Sequence, residues 1–87
     1  MNTLPARFTH PHAEVPTRAH PTDAGLDLAA SETTHIAPGV VTLVPTGVAV
    51  AIPEGHVGIL SARSSLAVKK AMTLANGVCV IDSDYRG

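Results

Sequence analysis

The stretch Thr46-Gly-Val-Ala-Val-Ala-Ile52, followed by Pro53-Glu-Gly55 and His56-Val-Gly-Ile-Leu-Ser-Ala62, decides the fold class. In its first part Val48, Val50 and Ile52 alternate with Gly47, Ala49 and Ala51. That period of two is the mark of a strand packed on one face. Pro53-Glu54-Gly55 has the composition of a turn, because proline presets φ and glycine accepts the positive φ that tight turns demand. His56 to Ala62 then reads as a returning strand, so the sequence predicts a β-hairpin here. Moving outward, Val40-Val-Thr-Leu-Val44 is a β-like run ended by Pro45, and Leu26 to Ala29 is a short strand entered by a turn at Asp23 to Gly25. A further short strand is expected near Arg7-Phe8-Thr9, and another over Val78, Val80 and Ile81. Ser64 to Lys70 is the single helical candidate, of one or two turns, and a serine at its start suits an N-cap. Many short strands, Gly/Pro turns and one small helix predict an all-β sandwich or jelly roll.

Eighty-seven residues make one domain at most, and a chain of this size buries only about 60% of the surface its unfolded form exposes. Hydrophobic residues reach 45% but aromatic ones only 2%, so the interior must be built from Val, Ile, Leu and Ala. The two aromatics are Phe8 and Tyr85, the latter set among polar residues. Six basic and seven acidic residues give a formal net charge of −1, which removes the broad positive field of a nucleic-acid binder. The single Cys79 excludes an internal disulfide and any multi-cysteine zinc site, and it suits a reducing compartment. Apolar runs fall far short of the roughly 20 residues of a membrane span, and Met1 to His20 lacks the order of a signal peptide. The expectation is one soluble, cytoplasmic domain over residues 1–87, with 1–21 as an extended lead-in rich in proline and histidine.

Three clusters carry chemical groups. Arg63-Ser64-Ser65 lies where a strand gives way to the helix, and a guanidinium with two hydroxyls can hold phosphate oxygens beside free backbone N–H groups. Read alone, Ser64 serves equally as a cap and Arg63 as a solvated charge. Asp82-Ser-Asp-Tyr-Arg86 sets two carboxylates, a phenol and a cation directly after Val80-Ile81. A carboxylate anchored on a strand can hold and deprotonate a water, although the same residues also make an ordinary turn. A turn at Ser83-Asp84 would bring Asp82 and Tyr85 to one side, where a straight strand would send them to opposite faces. Asp23-Ala-Gly-Leu-Asp27 pairs two acids around a flexible glycine. The five histidines match no metal-ligand spacing, and Cys79 has no basic neighbour in sequence to activate it.

In order, these clusters resemble the first three of the five motifs of the trimeric dUTPase family. Ala24-Gly-Leu-Asp-Leu28 is similar to the first, Arg63-Ser-Ser-Leu-Ala67 to the second and Asn76-Gly-Val-Cys-Val-Ile-Asp-Ser-Asp-Tyr-Arg-Gly87 to the third, over about Arg18 to Gly87. Pro38-Gly39, Pro45-Thr-Gly47 and Pro53-Glu-Gly55 fall at the family's usual places. The resemblance implies a homotrimer of jelly-roll subunits that cleaves dUTP to dUMP and pyrophosphate, limiting uracil in DNA and supplying dUMP for dTMP synthesis. It implies Mg²⁺ held by substrate phosphates and water, with no direct protein ligand. Asp82 would be the catalytic base, and Arg63, Ser64 and Ser65 would hold phosphates. Asn76, Val80 and Ile81 would read uracil, Tyr85 would pack under the deoxyribose, and Asp27 would act through water or as a structural partner.

Departures from the pattern carry their own expectations. Ala62 stands where the family commonly has Pro. Cys79 stands where it usually has Gly, so a position requiring positive φ or close backbone approach would be strained by roughly 1–3 kcal/mol, and Cys79→Gly would then tighten substrate binding. The chain ends at Gly87, before the fourth and fifth motifs, as expected of a fragment, half of a split protein, or a reduced protein. Two other functions share these features: a dCTP deaminase of the same fold, and a non-catalytic nucleotide-binding or structural subunit.

Overall fold

The computed structural model describes residues 3–87; Met1 and Asn2, the start of the expected lead-in, lie outside the described residues. The elements in order are β1 (Ala6–Phe8), β2 (Val48–Val50), β3 (Gly58–Ser61), α1 (Ser64–Lys70) and β4 (Val78–Ile81). They are distributed over two units, one of Val50–Gly87 with the residues preceding Ala6, the other of Ala6–Ala49.

In the first unit β3 and β4 form an antiparallel pair in the register Gly58↔Ile81, Ile59↔Val80, Leu60↔Cys79 and Ser61↔Val78. The hairpin expected between the segments 46–52 and 56–62 does not form. Its turn does: the His56 N–H donates to Pro53 O at 3.1 Å, with Gly55 at φ 81°. However, β2 pairs with β1 while β3 pairs with β4, so the turn joins strands that pair with different partners. Alternation specifies a strand's faces and leaves its partner open, which is why the sequence pointed to the wrong neighbour. Ile52, beyond the end of β2, is 6% exposed and is the one buried hydrophobic residue among those described. Its Cδ1 occupies the space that a side chain at Gly58 would need.

The helix spans the expected residues, but its N-cap is Arg63, at φ −67° and ψ 143°, rather than Ser64. The Arg63 carbonyl accepts from the Leu66 and Ala67 N–H groups at 3.0 and 3.3 Å, and no side chain caps this end. Ser64 is therefore the first helical residue. The helix stops at Ala71, which takes the left-handed conformation at φ 51° and ψ 38° and donates its N–H to Leu66 O. Met72 donates to the same carbonyl at 3.1 Å. Alanine does this without glycine's freedom, so the end of the helix carries no glycine signal.

In the second unit the Thr9 N–H donates to Gly47 O at 2.8 Å beside the β1–β2 pair. Ser31, 5% exposed, sends both its N–H and its hydroxyl to Pro45 O, at 2.9 and 3.1 Å. Val40 to Val44 is not a strand, and Val41 and Leu43 are 78% and 93% exposed; β-like composition forms a ladder only where a second strand supplies the hydrogen bonds. Leu26 to Ala29 is reduced to one antiparallel bridge between Thr17 and Asp27. Among the described residues no helix is long and apolar enough to cross a membrane.

Candidate functional site

The segment after β4 closes into the turn that Ser83-Asp84 suggested. The Tyr85 N–H donates to Asp82 O at 3.2 Å. The Arg86 guanidinium folds back, its Nη1 donating to Ser83 O and Tyr85 O, both at 2.8 Å. Two charge-assisted bonds to carbonyls brace a turn that has only one backbone bond of its own. This structural use of Arg86 was not foreseen, because a basic residue after a turn carries no signal that it will bend back. The carboxylate of Asp82 is exposed, and only its backbone carbonyl is engaged. Tyr85 is 58% exposed, and its ring lies so close over Gly87 that a Cβ there would overlap Oη and Cζ. The strand leading to this turn is only partly covered: Val78 and Val80 are 49% and 65% exposed, and only Cys79 and Ile81 turn partly inward. An open hollow of about 580 Å³ touches the turn through Ser83, Asp84 and Arg86, facing Ile52, Pro53 and Glu54, but neither Asp82 nor Tyr85 lines it.

At the other end of β4, Leu74 to Gly77 forms a turn, with the Gly77 N–H on Leu74 O at 2.9 Å and the Val78 N–H on Asn76 O at 2.8 Å. The Cys79 thiol donates to Asn76 Oδ1 at 3.3 Å. Cys79 sits in regular β4, and Ala71 is the one non-glycine residue with positive φ among those described. The backbone strain anticipated for a Cβ at position 79 is therefore absent, because extended strand geometry accepts any L-residue.

The register sorts the candidates. Ser61↔Val78 closes the end of the β3–β4 pair that carries Arg63, Ser64 and Ser65 on one side and Asn76 on the other; Gly58↔Ile81 closes the end that leads to Asp82 and Tyr85. The two groups stand apart along β4 by roughly 13 Å, the length of four extended residues. Val80 and Ile81 lie between them. Arg63, Ser64 and Ser65 are all exposed, and none of their side chains has a hydrogen bond or ion pair among the described residues, so their donors face solvent. Asp27 belongs to the second unit, where its N–H donates to Thr17 O at 2.8 Å and its side chain is exposed. Its neighbour Asp23 is occupied instead: Oδ2 accepts from the His20 N–H at 3.0 Å and stands 3.5 Å from His20 Nδ1. Among the described residues no three His, Cys, Asp or Glu side chains converge on one point.

The family model described as dUTPase matches residues 11–87, beginning inside the lead-in. The deoxyuridine 5'-triphosphate nucleotidohydrolase of Corynebacterium jeikeium (strain K411) is 48% identical over 88 residues, covering 99% of this chain and 57% of that protein. The protein of the same description from Nocardia farcinica (strain IFM 10152) is 46% identical, covering 100% and 53%. The chain thus spans about half the length of the curated relatives it matches. Among solved structures, the Staphylococcus bacteriophage 80alpha dUTPase with dUpNHpp superposes with a TM-score of 0.86 at 38% identity, over 100% of this chain and 50% of that one. A variant dUTPase from phage phi11 of S. aureus, which shows the coordination of a structural Mg(II) ion, gives 0.85 at 39%, over 99% and 55%. The strand-rich arrangement with one short helix is accordingly the jelly-roll fold of these enzymes.

Proposed function

This chain belongs to the dUTPase family, and from that membership we propose that it carries the water-activating and base-reading part of an enzyme that hydrolyses dUTP to dUMP and pyrophosphate. The observation that carries this reading is the turn from Asp82 to Tyr85. It uses the Asp82 carbonyl to accept the Tyr85 N–H and leaves the carboxylate exposed, held on a paired strand and open to a water. In the proposed reaction Asp82 orients that water and takes its proton as the oxygen attacks the α-phosphorus, and pyrophosphate departs. Tyr85 lies under the deoxyribose, where a 2′-hydroxyl would meet the ring. Asn76, with Val80 and Ile81, contacts the uracil. Arg63 grips phosphate oxygens with two N–H groups and Ser64 and Ser65 add hydroxyl donors; the absence of a capping bond from Ser64 supports this, since the hydroxyl has no structural duty at the helix start.

We read Mg²⁺ as an ion carried on substrate phosphates and water, a mode that needs no carboxylate cage because this ion keeps several of its waters. When bound it neutralises charge on the phosphate oxygens. Asp27 would reach such a hydrated assembly through water, or act as a structural partner. A single family model running from residue 11 to 87 supports reading both units as one domain, with 1–21 as its lead-in. We further read the complete protein as a cytoplasmic homotrimer. Exposed Val41, Leu43 and Val68 offer apolar surface for copies of the chain to cover.

Incubation with dUTP or dCTP in the presence of Mg²⁺ tests the reaction. Pyrophosphate from dUTP is the expected product. Ammonia from dCTP would instead identify a deaminase of the same fold. Binding of dUMP without any turnover would leave a nucleotide-binding subunit.

A further inference from the structure

We propose that Gly87 is a positioning residue for sugar specificity: by carrying no side chain it lets the Tyr85 ring lie across the backbone at position 87, the place from which the ring blocks a ribose 2′-hydroxyl. The inference rests on the reading of Tyr85 as the residue under the deoxyribose given above.

Rejecting one small group demands a surface whose place is fixed, because a ring that swings aside admits what it should exclude. Tyr85 is 58% exposed, so packing against other side chains holds only part of it. Its course is set by the chain on either side. The Tyr85 N–H donates to Asp82 O at 3.2 Å, and Arg86 Nη1 donates to Ser83 O and to Tyr85 O, both at 2.8 Å. The peptide units before and after the Tyr85 Cα are thus both tied into the turn. From this anchored backbone the ring passes over Gly87, where a Cβ would overlap Oη and Cζ and crowd Cε2. A side chain at position 87 and the ring in this place exclude each other. Gly47 and Gly58 are crowded too, but by Cβ atoms and by Ile52 and Ile81, whose displacement disturbs the fold. At Gly87 the obstacle is the far end of an exposed ring. Since the backbone of the turn is tied by its hydrogen bonds and the ring's hydroxyl end is not packed in a core, the ring is what gives way, by moving to another staggered well of χ1. The turn then survives while the blocking surface is lost. Gly87 therefore acts on specificity through Tyr85 without itself touching the sugar.

The test compares dUMP and UMP binding, by calorimetry, to the parent chain, Gly87→Ala, Tyr85→Ala and the double variant, with urea unfolding of each. The parent should prefer dUMP. Gly87→Ala should keep the parental unfolding midpoint and lose about tenfold of that preference, the lower end of what rejection of one small group is worth. Tyr85→Ala should lose the preference by itself, and adding Gly87→Ala to it should change the ratio no further, because the two residues act as one unit. Tyr85 is the single tyrosine of a chain without tryptophan, so intrinsic fluorescence reports this ring alone. Without ligand, its quenching by acrylamide should increase in Gly87→Ala as the ring leaves the backbone. An unchanged preference or unchanged quenching in Gly87→Ala, or a preference lost only together with the unfolding midpoint, overturns the role of Gly87 while leaving the hydrolase reading intact. A preference that survives in Tyr85→Ala, or a parent chain that binds neither nucleotide, removes the sugar-contacting reading and this inference together.

Discussion

Gly58 and Ile81 face each other across β3 and β4 with no room between them: a Cβ on Gly58 would stand 3.0 Å from Ile81 Cβ and 2.9 Å from Ile52 Cδ1. Since Ile81 directly precedes Asp82, the glycine sets how closely the strand that carries the candidate base approaches its partner. Gly58→Ala should destabilise the chain by about 1–3 kcal/mol, the usual result of forcing atoms into a filled space. Shortening the flexible neighbour in the double variant Gly58→Ala/Ile52→Val should recover part of that loss. Urea unfolding of the three proteins measures both effects, and an unchanged midpoint in Gly58→Ala would show that β3 can move away at no cost.

The same residues show what could be read before the structure. Strand character at Val48–Val50, the turn at Pro53–Gly55, the helix at Ser64–Lys70 and the turn after Ile81 were legible because each depends on local chemistry: a two-residue period, a turn composition, or helix-forming side chains. Pairing was not legible. β2 and β3 are joined by a good turn yet bond to different strands, a choice made by contacts between residues far apart in sequence. Val40 to Val44 has strand composition and no ladder, which local reading cannot foresee. For the candidate site, the sequence offered the motif residues as a resemblance, and their division between the two ends of the β3–β4 pair follows from the register alone. The bond from Cys79 to Asn76 was likewise invisible, since along an extended strand side chains three apart point to opposite faces and here the turn before β4 brings them together.

Gly47 and Gly39 both hold positive φ, at 69° and 75°, but only Gly47 is crowded: a Cβ there would lie 2.7 Å from His10 Cβ and 2.8 Å from Ala13 Cβ, while Gly39 has nothing within 4 Å. Alanine at either position meets the left-handed penalty of about 1–2 kcal/mol. At Gly47 it must also displace backbone-anchored Cβ atoms, adding about 1–3 kcal/mol. Gly47→Ala should thus unfold at clearly lower urea than Gly39→Ala; equal midpoints would mean that the segment around His10 and Ala13 gives way freely.

Ala71 offers a change in the opposite direction. It ends the helix at φ 51°, a conformation that glycine reaches without steric cost. Ala71→Gly should raise stability by about 0.5–1 kcal/mol, the left-handed penalty relieved less the extra freedom gained by the unfolded chain. Thermal unfolding followed by circular dichroism reads this directly, and a lower midpoint would contradict the assigned role of Ala71.

Arg63 should separate binding from folding. Its side chain is exposed and has no partner among the described residues, so Arg63→Ala should alter stability by less than about 0.5 kcal/mol. If it holds phosphate, losing bonds to a charged group worth about 1.5–3 kcal/mol should weaken triphosphate affinity by roughly 10- to 100-fold. Arg63→Lys should recover only part, because an ammonium keeps the charge but not the two-pronged geometry. Titration with a non-hydrolysable dUTP analogue measures all three proteins; unaltered affinity in Arg63→Ala would return Arg63 to the role of a solvated surface charge.

Asp82 permits the most direct separation of chemistry from structure. The bond that closes its turn uses the backbone carbonyl, so Asp82→Asn retains that bond and nearly the same shape while losing the ability to take a proton at neutral pH. The variant should keep the parent's unfolding midpoint and its dUMP affinity to within about twofold. Pyrophosphate release should fall by roughly 10²- to 10⁴-fold, the usual contribution of a positioned general base. The comparison must be made in the form of the protein that turns over dUTP, with single-turnover rates measured alongside binding. A fall in binding that accounts for the whole loss would make Asp82 a ligand for the nucleotide, and undiminished turnover would move the base to another residue. A rate loss at unchanged affinity is the one pattern that both the exposed carboxylate and its carbonyl-closed turn lead us to expect.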